Sequence, residues 1–368
     1  MAGFEIEVDG ADPRGWARAL APVRDEGRAL LAAFQGQERA AAAASGRAGP
    51  AGLLVLRAAL DALHRLRGAP AVAEIDAVAA ALGAPRAEVL LANLAYDLAA
   101  VAPEVRLEGP GCSTLVADGR PGPLHARNLD WRFPGELLRR HLHAFSVRGA
   151  PAGSYVMIGW PGLVGALTAV APGRFSVSVN FVRLRGEHVG RLAARLARGA
   201  LPVPWAVRAA LDHARTYDEA VARLAAAPLL APAILAIAGP ARSEGCVVER
   251  SARGVALRPL DRKVRGAVCA TNHYLAPGLA GRSVDYDAES SFARLPAVAA
   301  RAHGARDVAS ALAALAPTVR DGLTQHQVVM RAADGLCVVR VPGQRARRVR
   351  AFVRDGERTA RAGPRKPG

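Results

Sequence analysis

A chain of 368 residues can bury a large core and has room for two domains of ordinary size. Hydrophobic residues make up 51% and charged ones 22%, the balance of a soluble globular protein, and apolar runs such as 227–238 carry prolines and stop short of the ~20 residues of a membrane span. The formal charge of +17 does not read as nucleic-acid binding: Lys263 and Lys366 are the only lysines, the arginines are scattered, and aromatics are only 5%.

The opening Met1–Glu7 has acidic residues and no apolar stretch behind a basic start, so it does not read as a secretory leader, and a cytoplasmic location is the expectation. From Asp12-Pro13 to about Phe34, apolar residues recur at helical spacing. The Ala/Gly-rich stretch 36–50 reads as a loop. Three amphipathic helices are expected at Leu53–Leu66, Val72–Leu82 and Arg86–Leu98, and the nearly continuous apolar run Leu90–Ala99 predicts burial.

The character changes at Gly109-Pro110-Gly111. Strand-like runs follow at Ser113–Ala117, Leu124–Leu129, His143–Arg148, Tyr155–Ile158, Leu163–Val170 and Phe175–Val182, separated by turn signals such as Asp118-Gly119 and Pro172-Gly173. Helical patterns occupy 187–226, strands 231–258 and 267–272, and helices 288–315. The chain then reads as strands at 326–331, 336–341 and 348–353. This alternation predicts two sheets between helical layers.

None of the four cysteines pair as CxxC, so no zinc or redox site is indicated. Cys246, Cys269 and Cys337 lie in apolar strand-like runs and read as small buried hydrophobes. Cys112 differs. It begins a strand after Gly-Pro-Gly, and a hairpin through 118–123 returns Arg127 and Asp130 beside it. An arginine near a cysteine favours the reactive thiolate, although a purely structural Arg–Asp pair would use the same residues.

The segment 111–131, with Gly-Cys-Ser-Thr at its start and Arg127-Asn128-Leu129-Asp130 near its end, resembles the start of the catalytic chain of N-terminal nucleophile (Ntn) amide hydrolases. The resemblance is to the acid ceramidase and N-acylethanolamine-hydrolysing acid amidase family, related to the choloylglycine hydrolase and penicillin V acylase group. It extends to Phe4–Asp9, Leu91–Asp97 (LANLAYD), Trp160–Gly165, Arg174–Asn180, Leu201–Trp205 (LPVPW), Gly245–Arg250 (GCVVER) and Ala270–His273 (ATNH), and so covers nearly the whole chain.

The resemblance implies an α+β fold, the four-layer αββα sandwich of Ntn hydrolases, preceded by an N-terminal helical segment. It implies self-cleavage between Gly111 and Cys112, leaving subunits 1–111 and 112–368 associated. Cys112 would be the nucleophile, with its freed α-amine as base. Asp130 would hold that amine and Arg127 would stabilise the thiolate. Asn272 would donate to the oxyanion, Asn180 matches a second active-site asparagine, and Arg294 matches the arginine that closes the site. Without the resemblance, Asn180 and Asn272 read as turn caps and Arg294 as a solvated helix residue. Because the amine serves as base, His125 and His273 read as structural. Phe181 departs from the family pattern, which has a glutamate at or near that place; activity near neutral pH is the resulting expectation.

The implied reaction is hydrolysis of the linear amide of an N-acyl amine, ceramide- or N-acylethanolamine-like, through a thioester, with no cofactor. The first helices would help form an acyl-chain groove and a weak membrane-docking face. An acyltransferase, a bile-salt or penicillin acylase, and an inactive binding protein of the same fold are the other readings. No nucleic-acid partner is expected, the arginine-rich stretch 345–368 being the one region that would supply such an arm.

Overall fold

The computed structural model describes residues 4–45, 58, 60–62, 72–101, 111–187, 189–251, 254–261, 266–283 and 291–350. Its strands are β1 (Glu5–Asp9), β2 (Gly111–Ala117), β3 (Leu124–Asp130), β4 (His143–Arg148), β5 (Tyr155–Gly159), β6 (Thr168–Ala171) and β7 (Phe175–Asn180). They continue as β8 (Ala233–Ala238), β9 (Gly245–Ser251), β10 (Gly254–Pro259), β11 (Ala267–Ala270), β12 (Thr324–Arg331), β13 (Leu336–Arg340) and β14 (Arg347–Arg348). Eight form one sheet in the order β1-β4-β5-β6-β7-β8-β9-β10, and six form a second in the order β11-β2-β3-β12-β13-β14.

Both faces of the second sheet are covered. Every residue of β2 and β3 is buried, as a strand must be when neither face meets water. On one face Leu115, Ala126 and Val329 pack against Val298 and Leu315, from the helices Ser291–Ala302 and Val308–Leu315. On the other, Val116 meets Ile234, Ala236 and Val247 of the eight-stranded sheet. The helices Val203–His213 and Tyr217–Ala226 pack into the core on the far side, through Val207, Leu211 and Leu224. The result is helix, sheet, sheet, helix: the four-layer αββα sandwich.

The N-terminal segment is not wholly helical. Phe4–Asp9 supplies β1, which joins β4 as a parallel edge strand, because Ile6 and Val8 are buried between the exposed Glu5, Glu7 and Asp9, a period of two. The expected loop at 36–50 is also corrected: one helix runs from Arg24 to Ser45, since alanine is the best helix former. Residues 46–50 lie outside the described residues, as do nearly all of Leu53–Leu66 and everything beyond Arg350. The helix Val72–Leu82 stands as read.

The expected helix Arg86–Leu98 is two, Arg86–Asn93 and Ala95–Val101. The Asn93 side chain explains the break. Its Nδ2 donates to the Val89 and Gly162 carbonyls and its Oδ1 accepts from Val164 N–H at 2.9 Å. That clamp holds 161–164 as a loop, so β6 begins only at Thr168 instead of Leu163. Asp97, fully buried on the second helix, accepts from Val203 N–H at 3.0 Å through Oδ1, while Oδ2 has no partner. Burial pushes its carboxyl up to about 8. Among the described residues no helix is long and apolar enough to cross a membrane.

Candidate active site

The β2–β3 register pairs Cys112 with Leu129, Thr114 with Arg127 and Gly111 with Asp130. Paired residues share a face, so Cys112 and Arg127 both point between the sheets. Arg127 Nη2 donates to Cys112 Sγ at 2.7 Å, and Nη1 donates to the Leu167 carbonyl (2.7 Å) and Thr168 Oγ1 (2.8 Å). These bonds aim the guanidinium at the sulfur. Burial nevertheless raises the Cys112 pKa, with Arg127 pulling against it. The Phe181 backbone N–H also favours the thiolate, and the thiol meets the Val179 carbonyl at 3.7 Å. At rest the group is a thiol held where a thiolate would be welcome, so it needs a base.

The main chain of Cys112 is gripped as well. Its N–H donates to Asn272 Oδ1 at 2.9 Å, and its carbonyl accepts from Arg294 Nη1 at 2.6 Å. Arg294 also reaches Ser113 Oγ (3.0 Å) and, through Nη2, Asn272 Oδ1 (2.7 Å). Arg294 is therefore a buried clamp rather than a solvated helix residue. Asn272 Nδ2 donates to the Phe181 carbonyl at 2.7 Å, and its backbone N–H to Ser291 Oγ. Its amide is thus engaged with the framework, while its oxygen holds the nucleophile's nitrogen.

Asp130 sits at the end of β3 opposite Gly111. Thr324 Oγ1 donates to its Oδ1 at 2.6 Å, and its buried Oδ2 has no hydrogen-bond partner. A Cβ added to Gly111 would lie 3.5 Å from that Oδ2, so the unspent oxygen faces the Gly111–Cys112 junction. Burial raises the Asp130 pKa, opposed by the Thr324 bond and then by Arg294, Arg320 and Arg127.

Asn180 is brought near but spent elsewhere. Its Oδ1 accepts from Thr114 Oγ1 at 2.7 Å and its Nδ2 donates to the Ala270 and Thr271 carbonyls, so it ties β7 to β2 and the end of β11. The two histidines read as structural are bonded away from the sulfur. His125 lies between Ser176 Oγ (3.0 Å) and Ser178 Oγ (2.8 Å), and burial pushes its pKa down to about 3. His273 pairs with Ser291 Oγ at 2.6 Å and stacks on Phe292. Sequence reasoning missed Thr168, Thr324, Ser291 and the Phe181 N–H, which position the named residues; only the fold brings them in.

An apolar cavity of about 90 Å3 is lined by Leu30, Phe34, Leu82, Trp131, Trp160 and Leu163 among others. Its walls come from the helix Arg24–Ser45, from the helix Val72–Leu82 and from the segments after β3 and β5. Among the described residues no cluster of His, Cys, Asp or Glu could hold a metal ion.

No family model matches the chain. Over 203 residues it is 34% identical to the N-acylethanolamine-hydrolyzing acid amidase of Oryctolagus cuniculus, 54% of this chain and 53% of that protein. The Caenorhabditis elegans protein of the same name is 30% identical over 180 residues, 48% of this chain and 50% of that one. The acid ceramidase of Pan troglodytes is 27% identical over 192 residues, 48% and 46%. The similarity to these amidases and ceramidases extends over about half of this chain. The chain spans about half the length of the curated relatives it matches. Among solved structures it is similar to the Caenorhabditis elegans amidase ortholog, at a TM-score of 0.49 and 24% identity, covering 65% of this chain and 100% of that one. It is also similar to a conjugated bile acid hydrolase of Clostridium perfringens, at 0.44 and 13%, covering 65% and 92%.

Proposed function

We propose that the chain is a self-processing cysteine amide hydrolase that cleaves the linear amide of N-acyl amines bearing a fatty acyl chain. The observation that carries this reading is the buried contact of 2.7 Å between Arg127 Nη2 and Cys112 Sγ, one residue after the Gly111–Cys112 junction begins. The relatives the chain matches are named as amidases and ceramidases, and the wall of the apolar cavity includes Trp131, the residue after Asp130.

In processing, Sγ attacks the Gly111 carbonyl, the acyl group shifts from nitrogen to sulfur, and water hydrolyses the resulting thioester. Asn272 Oδ1 and Arg294 Nη1 hold the two sides of Cys112 during that shift. The product is segment 112–368 with a free α-amine, ordinarily of pKa about 8, still packed on segment 1–111. Asp130 Oδ2, facing the junction with no partner, is the natural acceptor for the ammonium form.

In turnover, the amine takes the thiol proton as Sγ attacks the substrate amide carbon. Arg127 stabilises the sulfur's charge, and the ammonium then protonates the departing amine. Water hydrolyses the acyl thioester. The Phe181 N–H, which faces the sulfur, would serve as a donor to the developing oxyanion, because Asn272 Nδ2 is already engaged by the Phe181 carbonyl.

The test is turnover of a panel of N-acylethanolamines and ceramides, with and without hydroxylamine as a competing acceptor. Release of fatty acid, dependent on Cys112, supports the reading. Product that passes mainly to the acceptor amine would make the enzyme an acyltransferase, and no turnover of any acyl amide would refute it.

A further inference from the structure

The inner face of β3 reads His125, Arg127, Leu129, and β12 adds a second buried histidine on the same face, His326. Both ring nitrogens of His326 are buried and neither has a hydrogen-bond partner. This is unlike His125, whose two nitrogens are both bonded to serines. Burial, with Arg127 close by, pushes the His326 pKa down to about 3. Its ring is therefore neutral, with one nitrogen donating and the other accepting. A native fold rarely leaves buried polar atoms bare, and each bare one carries a cost comparable to a lost hydrogen bond.

The position of the ring says what it would meet. His326 pairs with Leu129, and Leu129 with Cys112. The three stand side by side on adjacent strands, facing the other sheet, with about 10 Å between the first and last strands. Beyond His326 lies the Trp160 ring, 5.8 Å away between centroids, and Trp160 lines the apolar cavity. Trp160 thus joins the cavity wall to His326, and His326 is separated from Cys112 by Leu129 alone. His326 is the one polar side chain of the paired row, and Arg127 Nε, on the same face, is likewise buried without a partner.

We propose that His326 is a specificity-determining residue that hydrogen-bonds a hydroxyl on the substrate's acyl chain a few carbons from the scissile carbonyl, so that hydroxyacyl amides are preferred to plain acyl amides. The inference rests on the amide-hydrolase reading and names the substrate class within it. A hydroxyl donates and accepts at once, as the neutral imidazole does. A charged group would gain no counter-charge from it and would lose its hydration.

The experiment compares kcat/KM for a plain dodecanoyl amide with its α-, β- and δ-hydroxy analogues, on wild type, His326→Phe and His326→Gln. Wild type should prefer one of the hydroxylated substrates by about tenfold, the worth of one buried hydrogen bond. His326→Phe should bring that ratio close to one. His326→Gln, which can still donate and accept, should keep part of the preference.

A second measurement needs no turnover: binding of the corresponding free hydroxy and plain fatty acids to wild type and His326→Phe, read by tryptophan fluorescence. It should show the same preference and the same loss. Equal turnover of plain and hydroxylated amides by wild type would overturn the proposal and leave the amidase reading standing, as would a preference that survives in His326→Phe. Hydrolysis of no acyl amide would overturn the amidase reading instead, and the binding ratios would then decide whether His326 recognises the hydroxyl.

Discussion

The inner face of β3 has a closed end and an open end. At the closed end, His125 spends both nitrogens on Ser176 and Ser178, bonding the two sheets to each other. At the open end, Cys112 and Arg127 meet while Arg127 Nε and both nitrogens of His326 remain without partners. Burial is equally complete at both ends, and both imidazoles are pushed to about 3. What separates structure from function here is therefore the accounting of hydrogen bonds, since burial and titration look alike in the two places.

Substitutions at each end should break the parallel in opposite ways. The largest effect is expected from Arg127→Leu, which removes the charge facing Sγ. Acyl-amide turnover should fall by about a hundred- to a thousandfold, and the Cys112 thiol should alkylate more slowly with iodoacetamide at every pH. Turnover within a few-fold of wild type would mean that the arginine is only packing. Asp130→Asn keeps an acceptor for Thr324 but loses the negative charge beside the freed amine. The amine's pKa should fall, moving the acid limb of kcat/KM to lower pH, with a loss of about tenfold at the optimum. An unmoved limb would detach Asp130 from the base.

Smaller effects concern stability. Asp97 has a folded pKa raised to about 8 from an ordinary value near 4, so its stabilising effect is complete in acid and is lost as pH rises toward 8. The two histidines run the other way: their stabilising effect is complete above about 6.5 and is lost as pH falls toward 3. Asp97→Asn, which still accepts from Val203 N–H, should therefore remove the fall in stability between about pH 4 and 8, so that Tm rises more steeply with pH across the range the histidines govern. His125→Leu strands two serines and should cost about 1–3 kcal/mol in urea unfolding. It should leave substrate preference unchanged, which is the sharpest contrast with His326→Phe.

Much of this was legible in the sequence, and the limits have physical causes. The strand–hairpin–strand around Cys112 was readable because Asp118-Gly119 and Pro121-Gly122-Pro123 mark the turn, and that hairpin alone carries Arg127 and Asp130 to the cysteine. Arg294 was named by resemblance, but its role as a clamp on the Cys112 carbonyl depends on a contact 182 residues away. The alanine-rich composition of 36–45 looks like low complexity, yet alanine favours helix and the segment is helical. β1 was missed because its five residues sit before a long helical stretch, although Ile6 and Val8 alternate as a strand should. His326 carried no signal at all: its meaning lies in the β3–β12 register, which no local pattern encodes.

The central claim is that Cys112 becomes an N-terminal nucleophile, and denaturing intact-mass analysis of wild type and Cys112→Ala, after incubation at acid and neutral pH, tests it most directly. The account predicts two wild-type fragments that meet between Gly111 and Cys112 and a single uncut chain in the variant. An uncut wild-type chain under every condition would contradict it, because no free amine would then exist to take the thiol proton.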